Sequence, residues 1–136
     1  MPPKSLLDTD ILSDLMRPPS NSAVNALAYE KEYGRFTFSI ITRYEILRGL
    51  KAKQATAQLA AFELACKYSE ILPLDDRTIV RAADIFADLK RRGELIGDAD
   101  ILIAATALEN ALVMVTNNIK HFSKITGLKL SNWSNP

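Results

Sequence analysis

Cysteine, histidine and tryptophan each occur once in these 136 residues. Cys66 has no second thiol to pair with, which excludes an internal disulfide and points to a reducing compartment. His121 has no histidine partner, so it makes a poor zinc ligand. It also lacks the nucleophile-elbow context that a Ser/His/Asp triad needs. The five glycines are scattered, leaving no glycine-rich loop to cradle a phosphate. No apolar run approaches the roughly 20 residues of a membrane span, and the N-terminus has no signal-peptide core, so a cytoplasmic location is expected. An excess of one charge is missing too: the net charge is +1 and the pI near 7.8. A nucleic-acid partner would have to be held by local patches and by metal.

What is present describes a globular chain. Hydrophobic residues make up 48% and charged residues 24%, which suits one packed domain spanning 1–136. Short apolar runs at Ser5–Leu7, Phe36–Ser39, Ile71–Leu72 and Leu112–Thr116 read as strands, with Leu128–Leu130 a weaker fifth. Their near-continuous apolarity suits parallel strands covered on both faces. Between them the spacing predicts helices over Ile11–Met16, Ser22–Tyr33, Thr42–Leu50 and Ala55–Tyr68. Pro18-Pro19 stops the first, and Gly34 caps the end of the second. A fifth helix starts at Asp75 or Asp76 and runs to Arg92, and Asp98 is expected to cap a sixth, Ala99–Asn110. Strands alternating with helices give an α/β fold around a central parallel sheet of four to five strands.

Three acids interrupt apolar sequence. Asp8 ends the run Leu6-Leu7, Glu45 sits in Tyr44-Glu45-Ile46-Leu47, and Asp100 opens Ile101-Leu102-Ile103-Ala104-Ala105. In open α/β sheets the ends of the strands face the ligand crevice, where an acid can do chemistry. Each acid also has a plainer role. Asp8 would cap the following helix, Glu45 would pair with Arg48 at i,i+3, and Asp100 would favour the positive end of its helix dipole. Asp10 and Asp14 read as first-turn and solvent-face residues, and Cys66 as a core thiol.

Brought together, such acids need a cation. Two carboxylates about 4 Å apart repel by roughly 4 kcal/mol at an effective dielectric near 20. A hard dication such as Mg2+ reverses that sign, prefers oxygen ligands, and is commonly completed by water and substrate phosphates. The chemistry that best fits an acid-only ligand set is phosphodiester hydrolysis.

The order of these segments resembles the PIN-domain family, and within it the VapC-type toxins of type II toxin–antitoxin systems. The likeness rests on Leu7-Asp8-Thr9, on Ser39 followed by Glu45 and Gly49, and on Asp100 ahead of Ile101 to Ala107. It continues through Val115-Thr116-Asn117-Asn118, Phe122, Gly127-Leu128 and Leu130-Ser131-Asn132-Trp133, so it covers nearly the whole chain. The resemblance implies an α/β/α sandwich and a metal-dependent endoribonuclease. Asp8 and Asp100 would hold Mg2+, for which Mn2+ can substitute, and Glu45 would complete the cluster. Thr9 and Thr116 would support it by hydrogen bonds. Asn118 stands where many PIN domains carry a fourth acid. It can coordinate through its carbonyl or orient a water, but adds no charge, which favours one firmly held metal over two.

The same resemblance implies an RNA substrate, a homodimer, and a cognate VapB-type antitoxin. Operator DNA would be met only through that antitoxin in a hetero-oligomer. Apolar residues on the first, third and fourth helices (Ile11, Leu15, Leu47, Leu50, Leu59, Phe62) are available to cover or to be covered. Lys51, Lys53, Lys90, Arg91, Arg92, Lys120 and Lys124 are candidates for RNA backbone contacts. Two other readings stay open. Asp8-Thr9-Asp10 resembles the nucleophile motif of haloacid-dehalogenase-type phosphatases, although Leu12 stands where that motif wants Thr or Val. A non-catalytic binding module that retains the fold is the other.

Overall fold

In the computed structural model, which describes residues 2–134, five strands alternate with seven helices. The strands are β1 (Ser5–Leu7), β2 (Thr37–Ser39), β3 (Glu70–Leu72), β4 (Val113–Val115) and β5 (Leu130–Ser131). The helices are α1 (Thr9–Leu15), α2 (Ala23–Tyr33), α3 (Ile40–Ala52), α4 (Thr56–Lys67), α5 (Asp76–Arg91), α6 (Asp98–Glu109) and α7 (Ile119–Phe122). Every strand pairing is parallel, as the apolar runs predict.

The period of two along each strand divides the interior into two layers. Leu6 and Met114 face one core with Leu89, Ile101, Ile103 and Phe122 from α5, α6 and α7. Leu7 and Val115 face the other, with Ile11, Tyr29, Ile46, Phe62 and Trp133. The result is the expected α/β/α sandwich. α6 is apolar on almost every side because it lies inside: Ile101 and Ile103 to Ala107 are all buried. Each large side chain taken fully out of water contributes about 1.5–3 kcal/mol.

The sheet is less continuous than the sequence suggests. Its hydrogen-bonded ladders form a three-stranded set, β1-β4-β5 in lateral order, and a two-stranded set, β2-β3. β2 runs beside β1 but is not laddered to it. On the β4 side, Lys4 O and Asp8 N make backbone bonds, which turns the Ser5 amide and carbonyl toward the opposite edge. There the buried Tyr29 hydroxyl accepts from Ser5 N at 3.1 Å and donates to Ser5 O at 3.3 Å. An aromatic hydroxyl thus stands in for part of a strand ladder.

One local expectation changes, and one short helix is new. The cap of α6 is Gly97, and Asp98 is the first helical residue, so Asp98 makes no side-chain cap bond. The short helix α7 also forms directly after Asn118, in a stretch too brief to carry a periodic pattern. Among the described residues no helix is long and apolar enough to cross a membrane.

Candidate active site

The register of β1 on β4 places Leu7 opposite Val115, which sets the next residues, Asp8 and Thr116, side by side at the carboxyl end of the sheet. The Thr116 hydroxyl donates to Asp8 Oδ2 at 2.9 Å and accepts from Asn118 N at 3.0 Å. Asp8 Oδ1 accepts from Thr9 N at 2.8 Å and caps α1. Cap and site residue are one side chain. Only 6% of Asp8 is exposed. Burial pushes its pKa from 3.8 up to about 7, and the charge of Asp10 adds to the rise. The bonds from Thr116 and Thr9 oppose it, while Asp100 pushes the same way as Asp10.

Asp10 is no bystander. Its Oδ2 accepts from Asn117 N at 3.0 Å, which ties α1 to the loop after β4. Its Oδ1 is buried with no hydrogen-bond partner. Asp100, in the first turn of α6, has Oδ2 3.0 Å from His121 Nε2. The His121 ring is fixed edge-on against Phe122, with centroids 5.2 Å apart. Glu45 joins through hydroxyls: Thr9 Oγ1 donates to Glu45 Oε1 at 2.6 Å, and Thr42 Oγ1 lies 2.9 Å from Thr9 Oγ1. Because the Thr9 proton goes to Glu45, Thr42 is the donor of that second bond. Glu45 also meets Arg48 at 3.8 Å, the i,i+3 pair the sequence offers.

The fold therefore sets Asp8, Asp10 and Asp100 within one electrostatic neighbourhood and links Glu45 to its edge through Thr9. Asn118 contributes its backbone amide, and its side chain is exposed. Two residues at this site escape the sequence reading. Asp10 is the first-turn residue the sequence predicts, but its place three residues past the end of β1 was a usable signal for the site as well. His121 was dismissed as a zinc ligand, and a lone histidine shows nothing in sequence of its contact with Asp100. Elsewhere, Arg77 and Arg81 pair with Glu109 at 3.2 and 2.6 Å, and Cys66 is half-buried 3.2 Å from Arg43 Nη1.

Hard divalent cations suit this donor set. All its donors are carboxylate oxygens, one of them buried and unpartnered, and their mutual repulsion is what a cation relieves. Among the described residues no three His, Cys, Asp or Glu side chains gather closely enough to hold a metal by themselves. Water or a substrate phosphate would complete the shell, as is usual for Mg2+. Beside the acids, a groove of about 390 Å3 runs between α1, α3 and α4. Thr9 and Glu45 line it along with Met16, Ile46, Leu50 and Phe62. Of the apolar residues noted above, Ile11 and Phe62 belong to the core, while Leu15, Leu47 and Leu50 are half-buried against it.

Comparison with known proteins agrees with this geometry. The PIN domain family matches residues 5–128. Ribonuclease VapC1 of Methanocaldococcus jannaschii is 33% identical over 129 residues, covering 93% of this chain and 86% of that protein. The tRNA(fMet)-specific endonuclease VapC of Salmonella typhimurium is 33% identical over 100 residues, covering 73% of this chain and 76% of its own. A crystal structure of DNA-bound VapBC from Salmonella typhimurium superposes with a TM-score of 0.86 at 28% identity, over 97% of this chain and 99% of that one. A β1 end carrying a buried Asp8, an α6 opening on Asp100 and these matches lead to one assignment: the chain belongs to the PIN-domain family and, within it, to the VapC ribonucleases.

Proposed function

We propose that this chain is the toxin of a type II toxin–antitoxin pair: a single PIN domain over 1–136 that hydrolyses RNA phosphodiesters in the cytoplasm. The observation that carries the reading is Asp8, a buried carboxylate whose pKa is pushed to about 7 beside two further aspartates. Asp8 and Asp100 would hold Mg2+, for which Mn2+ can substitute, and the unpartnered Asp10 Oδ1 would be a further donor. When bound, the cation would offset charge developing on the scissile phosphate and ease loss of a proton from the attacking water.

The protein's own groups do the rest. Thr116 and Thr9 lock both Asp8 oxygens, so the carboxylate is positioned before substrate arrives. His121 steadies Asp100 through Oδ2, in the manner of groups that orient metal-binding carboxylates. Glu45, held by the Thr42–Thr9 relay, faces the groove and can accept a proton from the attacking water. Asn118 adds an uncharged side chain at the start of α7, able to orient a water. The PIN-domain match over residues 5–128 and the ribonuclease relatives favour this reading over the phosphatase one.

Relatives solved as VapBC complexes, two of them with DNA, support a cognate VapB-type antitoxin and a hetero-oligomer that meets operator DNA; a toxin homodimer, and DNA contact through the antitoxin alone, belong to the same proposal. The groove between α1, α3 and α4 is the place for an apolar antitoxin segment, because it ends at Glu45 and a basic residue there would enter the acidic site. The test is to map RNA 5′ ends after brief expression. New ends at defined positions should arise with wild type alone, and disappear with Asp8→Asn or with the antitoxin co-expressed. Identical ends in wild type and Asp8→Asn would overturn the reading.

A further inference from the structure

Seven basic residues offered RNA contacts in the sequence, and the fold separates them. Arg92 is committed internally: its guanidinium bonds Asp88 at 2.8 Å, Glu94 at 3.3 Å and the Lys124 carbonyl at 2.5 Å. That last bond stitches the end of α5 to the turn after α7. Lys90 and Arg91 lie immediately before the stitch and are exposed, as is Lys120. Among the described residues, Lys90, Arg91, Lys120 and Lys124 make no side-chain hydrogen bond or ion pair. Lys90 instead lies over the half-exposed Phe86 ring at 5.8 Å.

The chain leads from this patch to the acids at two points. On α7, Lys120 directly precedes His121, which touches Asp100, and Lys124 follows one turn later. From the other side, the connection 92–97 leads from α5 into the first turn of α6, where Asp100 stands. Lys51 and Lys53 differ. They lie about two turns along α3 from Glu45, roughly 10 Å by helical rise, and Lys53 lines the apolar groove.

We infer that Lys90, Arg91, Lys120 and Lys124 form the track along which the RNA backbone enters the acidic site, with Arg92 as the internal stitch that holds its two halves together. This rests on the ribonuclease reading above and names the face the substrate uses. Free cations beside a cluster of carboxylates solve a specific problem. The acids repel a phosphate chain, and flanking unpaired positive charge draws the strand across them until metal neutralises the centre. The Arg92 charge is offset by Asp88 and Glu94, so it serves geometry rather than attraction.

Binding of a fluorescent RNA oligonucleotide in EDTA, measured against salt concentration, tests this without cleavage. Lys120→Ala, Lys124→Ala, Lys90→Ala and Arg91→Ala should each weaken binding about three- to tenfold and flatten the plot of log K against log salt by about 0.7. Arg92→Ala should weaken binding with an unchanged slope, and Lys51→Ala and Lys53→Ala should change neither. The track is wrong if the four variants bind as wild type does, or if Lys51 and Lys53 carry the salt dependence, while wild-type cleavage persists. Absence of metal-dependent cleavage by wild type would instead overturn the underlying function.

Discussion

Asp8 and Asp100 reach the same site from opposite surroundings. Asp8 ends a strand, is 6% exposed, and has both oxygens bonded to protein. Asp100 opens a helix, keeps 36% of its side chain exposed, and meets the imidazole of His121 through one oxygen. One carboxylate is built into the sheet, and the other faces whatever enters. The role proposed for both acids therefore does not require the same structural setting for each. In the proposed mechanism Asp8 carries fold and chemistry together, whereas Asp100 carries chemistry with little burden of folding.

Substitution separates the two most strongly in activity and stability measured side by side. Asp8→Asn and Asp100→Asn should each lower metal-dependent cleavage by about 100-fold or more, the scale of losing a charged stabiliser. Near pH 5, where the buried Asp8 keeps its proton, Asp8→Ala should in addition lose the α1 cap, worth about 1 kcal/mol, and leave the buried Thr116 hydroxyl without its acceptor. Asp100→Ala should melt within about 0.5 kcal/mol of wild type, as exposed sites do. Equal destabilisation by the two alanines would erase the contrast.

Acid titration sharpens the same contrast from the buried side. In the folded, metal-free protein Asp8 titrates near pH 7 instead of near 3.8, so the folded state binds the extra proton between those values. Stability in EDTA should therefore fall as pH rises from about 4 through about 7 and level off above. Metal must displace that proton, so affinity for Mn2+ should climb over the same window. Asp8→Asn should flatten the decline in melting temperature. A decline that persists unchanged in Asp8→Asn would place its source elsewhere.

Smaller effects come from the supports. Thr9→Val removes the donor to Glu45 while keeping size and the backbone cap of Asp8, so cleavage should drop about tenfold or less with RNA affinity unchanged. The smallest change should follow Arg48→Ala, whose 3.8 Å pair with Glu45 is 58% exposed on the arginine side. Melts should shift by less than about 0.5 kcal/mol.

Much of this was legible in the sequence because local signals and global position coincide. Leu6-Leu7 before Asp8, and Asp100 before a helix apolar on all sides, mark a strand end and a buried helix start without any coordinates. Glu45 was readable as an acid on a short apolar helix, and its Arg48 pair was visible from spacing. What stayed hidden depends on contacts distant in sequence. Asp10 is tied to Asn117, His121 to Asp100, and Ser5 to Tyr29, pairings that no local pattern announces. The ladder break beside β1 belongs to the same class, since it rests on one hydroxyl arriving from α2. Asp98 misled for a different reason: Gly97 adopts the extended conformation of a cap, φ −64° and ψ 154°, and moves the helix start one residue earlier.

The proposed function requires a cation held at Asp8 and Asp100 and acting on RNA. Its most direct test is cleavage of RNA by the purified chain, free of antitoxin, with Mg2+ titrated in and then removed by EDTA. Wild type should cut in proportion to metal occupancy and stop on chelation, while Asp8→Asn, folded by circular dichroism, should leave the RNA intact at every Mg2+ concentration. Undiminished cutting in EDTA, or by Asp8→Asn at the wild-type rate, would contradict the claim.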